Sequence, residues 1–141
     1  MRTVLQRVDG AAVHVDGEQV GGFTGPGLVA LVGVTHTDGP AEIEKTSCKI
    51  ADLRILRDER SVLEEHAPVL VISQFTLHAD VRKGRRPSWN AAAPADVAEP
   101  VVEAVVAALR ERGVHVETGR FGADMRVSLV NDGPVTIVLD V

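Results

Sequence analysis

One cysteine, Cys48, stands alone in 141 residues, which excludes an internal disulfide and any multi-cysteine zinc site and suits a reducing cytoplasm. Aromatic residues are almost as scarce, with three Phe, one Trp and no Tyr. A core must therefore be assembled from Val, Leu, Ile and Ala, and any aromatic beside a polar motif stands out. No apolar run nears the roughly 20 residues of a membrane span, and no charged-then-apolar leader opens the chain. A soluble, cytoplasmic protein without a membrane partner is expected. Also missing are GxGxxG after a strand, GxxxxGK followed by Ser or Thr, HExxH and GxSxG, which removes the main support for nucleotide-binding, zinc-peptidase and α/β-hydrolase chemistry. The five histidines, His14, His36, His66, His78 and His115, show no ligand spacing, so no metal site is expected from them.

What is present suits one compact domain over residues 1–141, with a hydrophobic fraction of 45% to fill its core. A net charge of −5 argues against a general nucleic-acid coat. Locally the balance reverses, because Arg82, Lys83, Arg85 and Arg86 fall within five residues. Such a loop either is a solvated turn or meets a phosphate backbone.

The stretch "TVLQRVDGAAVHVDGEQVGGF" alternates apolar and polar residues around Asp9-Gly10 and Asp16-Gly17, which predicts short antiparallel strands joined by tight turns. "GLVALVGV" is continuously apolar, the pattern of a strand covered on both faces. Ile43, Cys48, Ile50 and Leu53 predict a helix from Pro40 to about Leu53, with Cys48 as a small buried thiol. Val97, Val101, Ala104, Val105, Ala108 and Leu109 predict a second helix, stopped by Gly113. "RIL", "PVLVISQF", "VHVET", "MRVSLV" and "PVTIVLDV" read as strands. The sum is seven or eight strands and two helices, a mixed α/β domain with helices on one side of the sheets rather than a Rossmann alternation.

Two features call for more than a fold. In "VLVISQFTLHADVRKGRRPSW" an apolar strand delivers Ser73, Gln74, Phe75 and Thr76 to its end and passes at once into the cationic loop. On a strand His78 would point the same way as Thr76, a weak nucleophile and base pairing. In "SLVNDGPVTIVLDV" the residues Asn131-Asp132-Gly133-Pro134 interrupt two apolar runs and read locally as a turn.

Along nearly its whole length, from "MRTVLQRV" through "SQFTLHADVRKGRRPSW" to "TGRFGADMRVSLVNDGPVT", the chain resembles the D-aminoacyl-tRNA deacylases of the D-tyrosyl-tRNA deacylase type. The resemblance implies a homodimer with a three-layer β/β/α fold and no metal or organic cofactor. It implies hydrolysis of the ester between a D-amino acid and the terminal adenosine of tRNA, and removal of glycine mischarged on tRNA(Ala), with no DNA partner. Ser73, Gln74, Phe75 and Thr76 match the floor of the aminoacyl pocket, where the backbone N–H groups of Phe75 and Thr76 are the implied oxyanion donors. Gly133 and Pro134 match a Gly-cisPro pair that enters the partner subunit's pocket and crowds out an L side chain. Arg7 matches the residue that orients this pair, Phe121 and Met125 match pocket-lining positions, and Arg82, Lys83, Arg85 and Arg86 are the implied contacts to tRNA phosphates.

The chain departs from the family pattern at Arg57–Ser61, a shortened segment, and at His78 and Trp89, where Tyr and Phe are more usual. Two other readings compete. A non-catalytic RNA-binding or dimerisation module would explain the basic loop, and a small-ester hydrolase would use Thr76 with His78.

Overall fold

The computed structural model describes all residues, 1–141. Strand β1 (Arg2–Val15) and strand β2 (Glu18–Gly33) form one long antiparallel hairpin, with Arg2 opposite Gly33 and Val15 opposite Glu18. Its reversal at Asp16-Gly17 has φ of 50° and 81°; positive φ at both central residues matches the right-handed twist of the flanking strands. Asp9-Gly10 does not reverse the chain. Gly10, at φ 86°, makes a bulge where the pairing skips between Asp9 and Ala11, and the strand bends there.

Because of that bend the distal half of the hairpin folds back over the sheet. Gly21 of β2 lies so close to the backbone of Thr118 that a Cβ there would sit 2.2 Å from the Thr118 carbonyl oxygen. Strand β3 (Val69–Ser73) runs parallel to β2, and β4 (Val116–Thr118) runs parallel to β3. Strand β5 (Arg126–Asp140) pairs antiparallel with β1, which gives the order β4-β3-β2-β1-β5. Parallel neighbours need crossovers. Helices α1 (Pro40–Asp52) and α2 (Val62–Glu65) supply the first, and α3 (Ala95–Glu111) supplies the second.

The pleat sends alternate residues of "LVALV" into two cores, as its unbroken apolar pattern predicts. Leu28, Ala30 and Val32 join Val69 and Val71 under the helices, beside Ile50, Val105 and Leu109. Val29, Leu70 and Ile72 face the other way, onto Val8, Ala11 and Val13 of the folded hairpin. Helices, sheet and folded hairpin are thus the three layers.

Several expectations need correction. Five strands replace seven or eight, because neighbouring segments run on through bulges, and Arg54–Leu56 has no strand partner. A third, short helix, α2, starts in a capping box in which Ser61 Oγ accepts from the Glu64 N–H and the Glu64 carboxylate accepts from the Ser61 N–H. The buried face of α3 is Ala98, Val102, Val105, Val106 and Leu109, while Val97 is exposed. Cys48 is half-buried beside the Arg112 guanidinium, and Thr46, Ser47, Ile50 and Ala51 fill the buried face of α1.

A methyl group at position 21 would collide with rigid backbone, so Gly21→Ala is expected to destabilise the protein by about 1–3 kcal/mol, read as a lower urea midpoint. Four carboxyls are held below their ordinary range: Glu42 by the Gly39 N–H, Glu64 by the Ser61 N–H, Asp80 by Arg82, and Asp140 by Arg2. A carboxyl depressed in the folded state contributes stability above its unfolded pKa. The urea midpoint is therefore expected to be flat above about pH 5 and to fall as pH drops below about 4.

Candidate active site

At the end of β3 the chain breaks its ladder. The Gln74 N–H still donates to the Val32 carbonyl at 2.8 Å, and the chain then enters a 3₁₀ turn over Phe75–His78. Opening donors of a helical turn have no partner within it. The Leu77 N–H donates to the Gln74 carbonyl and the Ala79 N–H to the Thr76 carbonyl, so the first bond of the turn is made at Leu77. The amides of Phe75 and Thr76 are its two adjacent opening donors, held at the end of a rigid strand. Thr76 Oγ accepts from the Gln74 side-chain amide.

His78 does not meet Thr76. The sequence-based pairing assumed a strand, but in a 3₁₀ turn residues two apart are rotated by about 120° around the axis. The His78 ring is packed inward with Nε2 buried and unpartnered, so the small-ester hydrolase reading loses its base.

Ser73, Gln74 and Phe75 line a cleft of about 510 Å³ that is closed on its other side by Phe121, Met125 and the start of α3. Gly119 helps to place Met125, since a Cβ there would lie 2.4 Å from the Met125 sulfur. Ser73, Phe121 and Met125 also border a second cleft that runs on to Glu99, Glu103, Arg110 and Arg120. These four polar residues were not singled out from sequence. Their only signal was the i,i+4 spacing of Glu99 and Glu103 on the exposed side of α3. Thr76 stands just outside both clefts.

Gly133 and Pro134 line neither cleft. They sit in the middle of β5, where pairing with β1 jumps from Val8 opposite Asn131 to Gln6 opposite Thr136. Four β5 residues thus face Arg7 alone, so the segment is a large bulge and the chain does not turn back. The Gly133–Pro134 peptide is cis. The Arg7 guanidinium fills the gap, donating to the carbonyl oxygens of Asp132 at 2.8 Å, Gly133 at 3.4 Å and Ile55 at 3.3 Å. It also pairs with the Asp132 carboxylate at 3.3 Å. Arg57, the first residue of the shortened segment and given no site role from sequence, pairs with the same carboxylate. Gly133 and Pro134 are exposed, and along β5 Val127, Leu129, Val130 and Val138 leave apolar surface uncovered at the sheet edge.

The cationic loop is closed by reciprocal backbone bonds between Asp80 and Ser88 at 2.9 and 3.0 Å. Arg82 folds back onto Asp80 at 2.6 Å, and the Asp80 carboxylate raises its pKa. Lys83, Arg85 and Arg86 are exposed without an ion-pair partner. Just after the loop, Trp89 meets Phe75 edge-on, with ring centroids 5.4 Å apart.

A five-stranded mixed sheet with helices on one face and its own folded hairpin on the other defines a three-layer α/β domain. The family model for D-Tyr-tRNA(Tyr) deacylase matches residues 4–140. The D-aminoacyl-tRNA deacylases of Kineococcus radiotolerans and Beutenbergia cavernae are 65% and 67% identical to this chain, each alignment covering 99% of both sequences. The solved structure of the c-Myc DNA Unwinding Element Binding Protein superimposes with a TM-score of 0.91 at 37% identity, covering 100% of this chain and 99% of its own. The chain belongs to the D-Tyr-tRNA(Tyr) deacylase family.

Removing the Arg7 guanidinium leaves three carbonyls and a half-buried carboxylate short of a donor, at about 1–3 kcal/mol for an unsatisfied group. Arg7→Met is expected to lower the urea midpoint and to speed hydrogen exchange at 131–136 while the protection of α1 and α3 persists.

Proposed function

We propose that this protein is a homodimeric D-aminoacyl-tRNA deacylase of the cytoplasm, built as one domain over residues 1–141. The observation that carries the reading is the pair of turn-opening amide donors, Phe75 and Thr76, beside the Ser73–Met125 cleft. The aminoacyl ester of the tRNA terminal adenosine enters the cleft between Ser73, Gln74, Phe121 and Met125. The two N–H groups receive the oxyanion that forms as the carbonyl is attacked; donors of this kind supply about 2.7–4 kcal/mol each.

The one side-chain base of the turn, His78, is packed inward, so the substrate's own ribose 2′-hydroxyl assists the attack and water is the final nucleophile. The ester C–O bond breaks, the ribose oxygen takes a proton, and free tRNA and D-amino acid leave. No metal or cofactor takes part.

Chirality is set by exclusion. The Arg7-clamped bulge of one protomer enters the cleft of its partner, where Gly133 and Pro134 occupy the space of an L side chain. Support for this cross-subunit arrangement is that bulge and cleft lie apart on one chain, while the edge of β5 is apolar and uncovered. A D side chain points elsewhere and glycine has none, so glycyl-tRNA mischarged on tRNA(Ala) is also hydrolysed. Lys83, Arg85 and Arg86 meet tRNA phosphates, with Arg82 bracing their loop.

D-Tyr-tRNA and L-Tyr-tRNA incubated with the protein give the deciding measurement. Loss of the D ester is expected to be at least roughly 5- to 150-fold faster, the factor that 1–3 kcal/mol of steric exclusion provides. No loss of either ester would favour a non-catalytic module. Thr76→Ala keeps its amide donor and is expected to retain activity within about tenfold, whereas D-Tyr-tRNA ending in 2′-deoxyadenosine is expected to react about 10²–10⁴-fold more slowly.

A further inference from the structure

Only four aromatic side chains are present in the chain, and their placement is uneven. Phe23 packs against the smaller core and Phe121 against the larger. Phe75 and Trp89 instead stand 55% and 40% exposed, in contact with each other at an interplanar angle of 76°. A protein with so few aromatics leaves half of them in water, together, at the rim of its cleft.

The pair is held from both sides. Phe75 opens the 3₁₀ turn and lines the cleft. Trp89 follows the Asp80–Ser88 closure, its carbonyl accepts from the Ala92 N–H at 2.9 Å, and the next carbonyl, of Asn90, meets His36 Nε2 at 3.0 Å. Three unpaired cations, Lys83, Arg85 and Arg86, lie in the adjoining loop. Aromatic faces beside free cations are the recognition chemistry of single-stranded nucleic acid: the rings stack on bases and the cations follow the phosphates. A duplex, whose bases are already stacked, has nothing to offer the rings.

We propose that Phe75 and Trp89 form a stacking platform for the unpaired base that precedes the terminal adenosine of the substrate tRNA. The inference rests on the deacylase reading, which places the terminal aminoacyl-adenosine in the cleft that Phe75 borders. The next nucleotide then leaves the cleft over the aromatic pair, with its phosphate toward the cationic loop. Trp89 here acts on binding of the acceptor end and takes no part in breaking the ester.

The composition supplies the probe. Trp89 is the single Trp and no Tyr is present, so intrinsic fluorescence reports this position alone. The intact protein is titrated with the trinucleotide CpCpA and with the same trinucleotide carrying an abasic middle residue. CpCpA is expected to quench Trp89, and the abasic form to bind roughly 5- to 150-fold more weakly without quenching. In parallel, Trp89→Ala is expected to raise KM for D-Tyr-tRNA by a similar factor with little change in kcat, and Trp89→Phe to recover most of the loss. Equal quenching by both trinucleotides, or an unchanged KM in Trp89→Ala, overturns the platform. Cleavage of D-Tyr-tRNA by the wild-type protein separates that outcome from failure of the deacylase reading, under which no D ester is lost at all.

Discussion

A sixteen-residue strand paired with one of fourteen would lie as an open ribbon with one face wet. This hairpin does not, because Gly10 bends β1 and Gly21 allows β2 to touch the backbone of Thr118. The bend places β3 between two cores, and a strand buried on both faces cannot shift its register without exposing one of them. Ser73 and the turn that follows are thereby held at a fixed height above the sheet. The same bend brings Val13 and Met125 to Gly119, so the floor and one wall of the cleft derive from a single act of folding.

The second constraint lies in β5. Opposite a lone arginine, four residues must be accommodated, and the strand can do so only by looping outward. Arg7 turns that irregularity into a fixed feature, since its guanidinium meets three carbonyls and a carboxylate at once, and planar, permanently charged donors suit such a cluster better than an ammonium would. The bulge is exposed yet braced from beneath, as its proposed entry into a partner's cleft requires.

Much of the framework was legible in residue patterns. Alternation marked β1, Asp16-Gly17 marked the hairpin turn, and the unbroken run before Val34 announced a strand with two buried faces. Errors arose where local pattern competed with distant partners. The bland turn at Asn131–Pro134 became a bulge because β1 pairs on both sides of it. Val97 was placed on the buried stripe of α3, but the helix docks through Ala98 and Val102, one residue further round. "RIL" has the composition of a strand and no neighbour to pair with. Site residues divided along the same line. Ser73 to Thr76 stood out because polar residues closed an apolar strand, and the family resemblance assigned Arg7, Phe121 and Met125. Glu99, Glu103 and the Asp132 partner of Arg57 stayed hidden, since an exposed charge carries no local sign of what it will face. The pairing of Arg82 with Asp80, two residues away, was equally silent in a run of basic residues.

Main-chain donors have a genetic consequence. An amide N–H is present whatever side chain is attached, and proline alone among the coded residues lacks it. On the proposed mechanism, single-nucleotide changes in the codons for Phe75 and Thr76 can alter size, polarity or charge and still leave the reacting groups in place. Such a site can keep its bond-breaking chemistry through side-chain changes, and what selection must guard for that step is the shape of the backbone at the end of one strand.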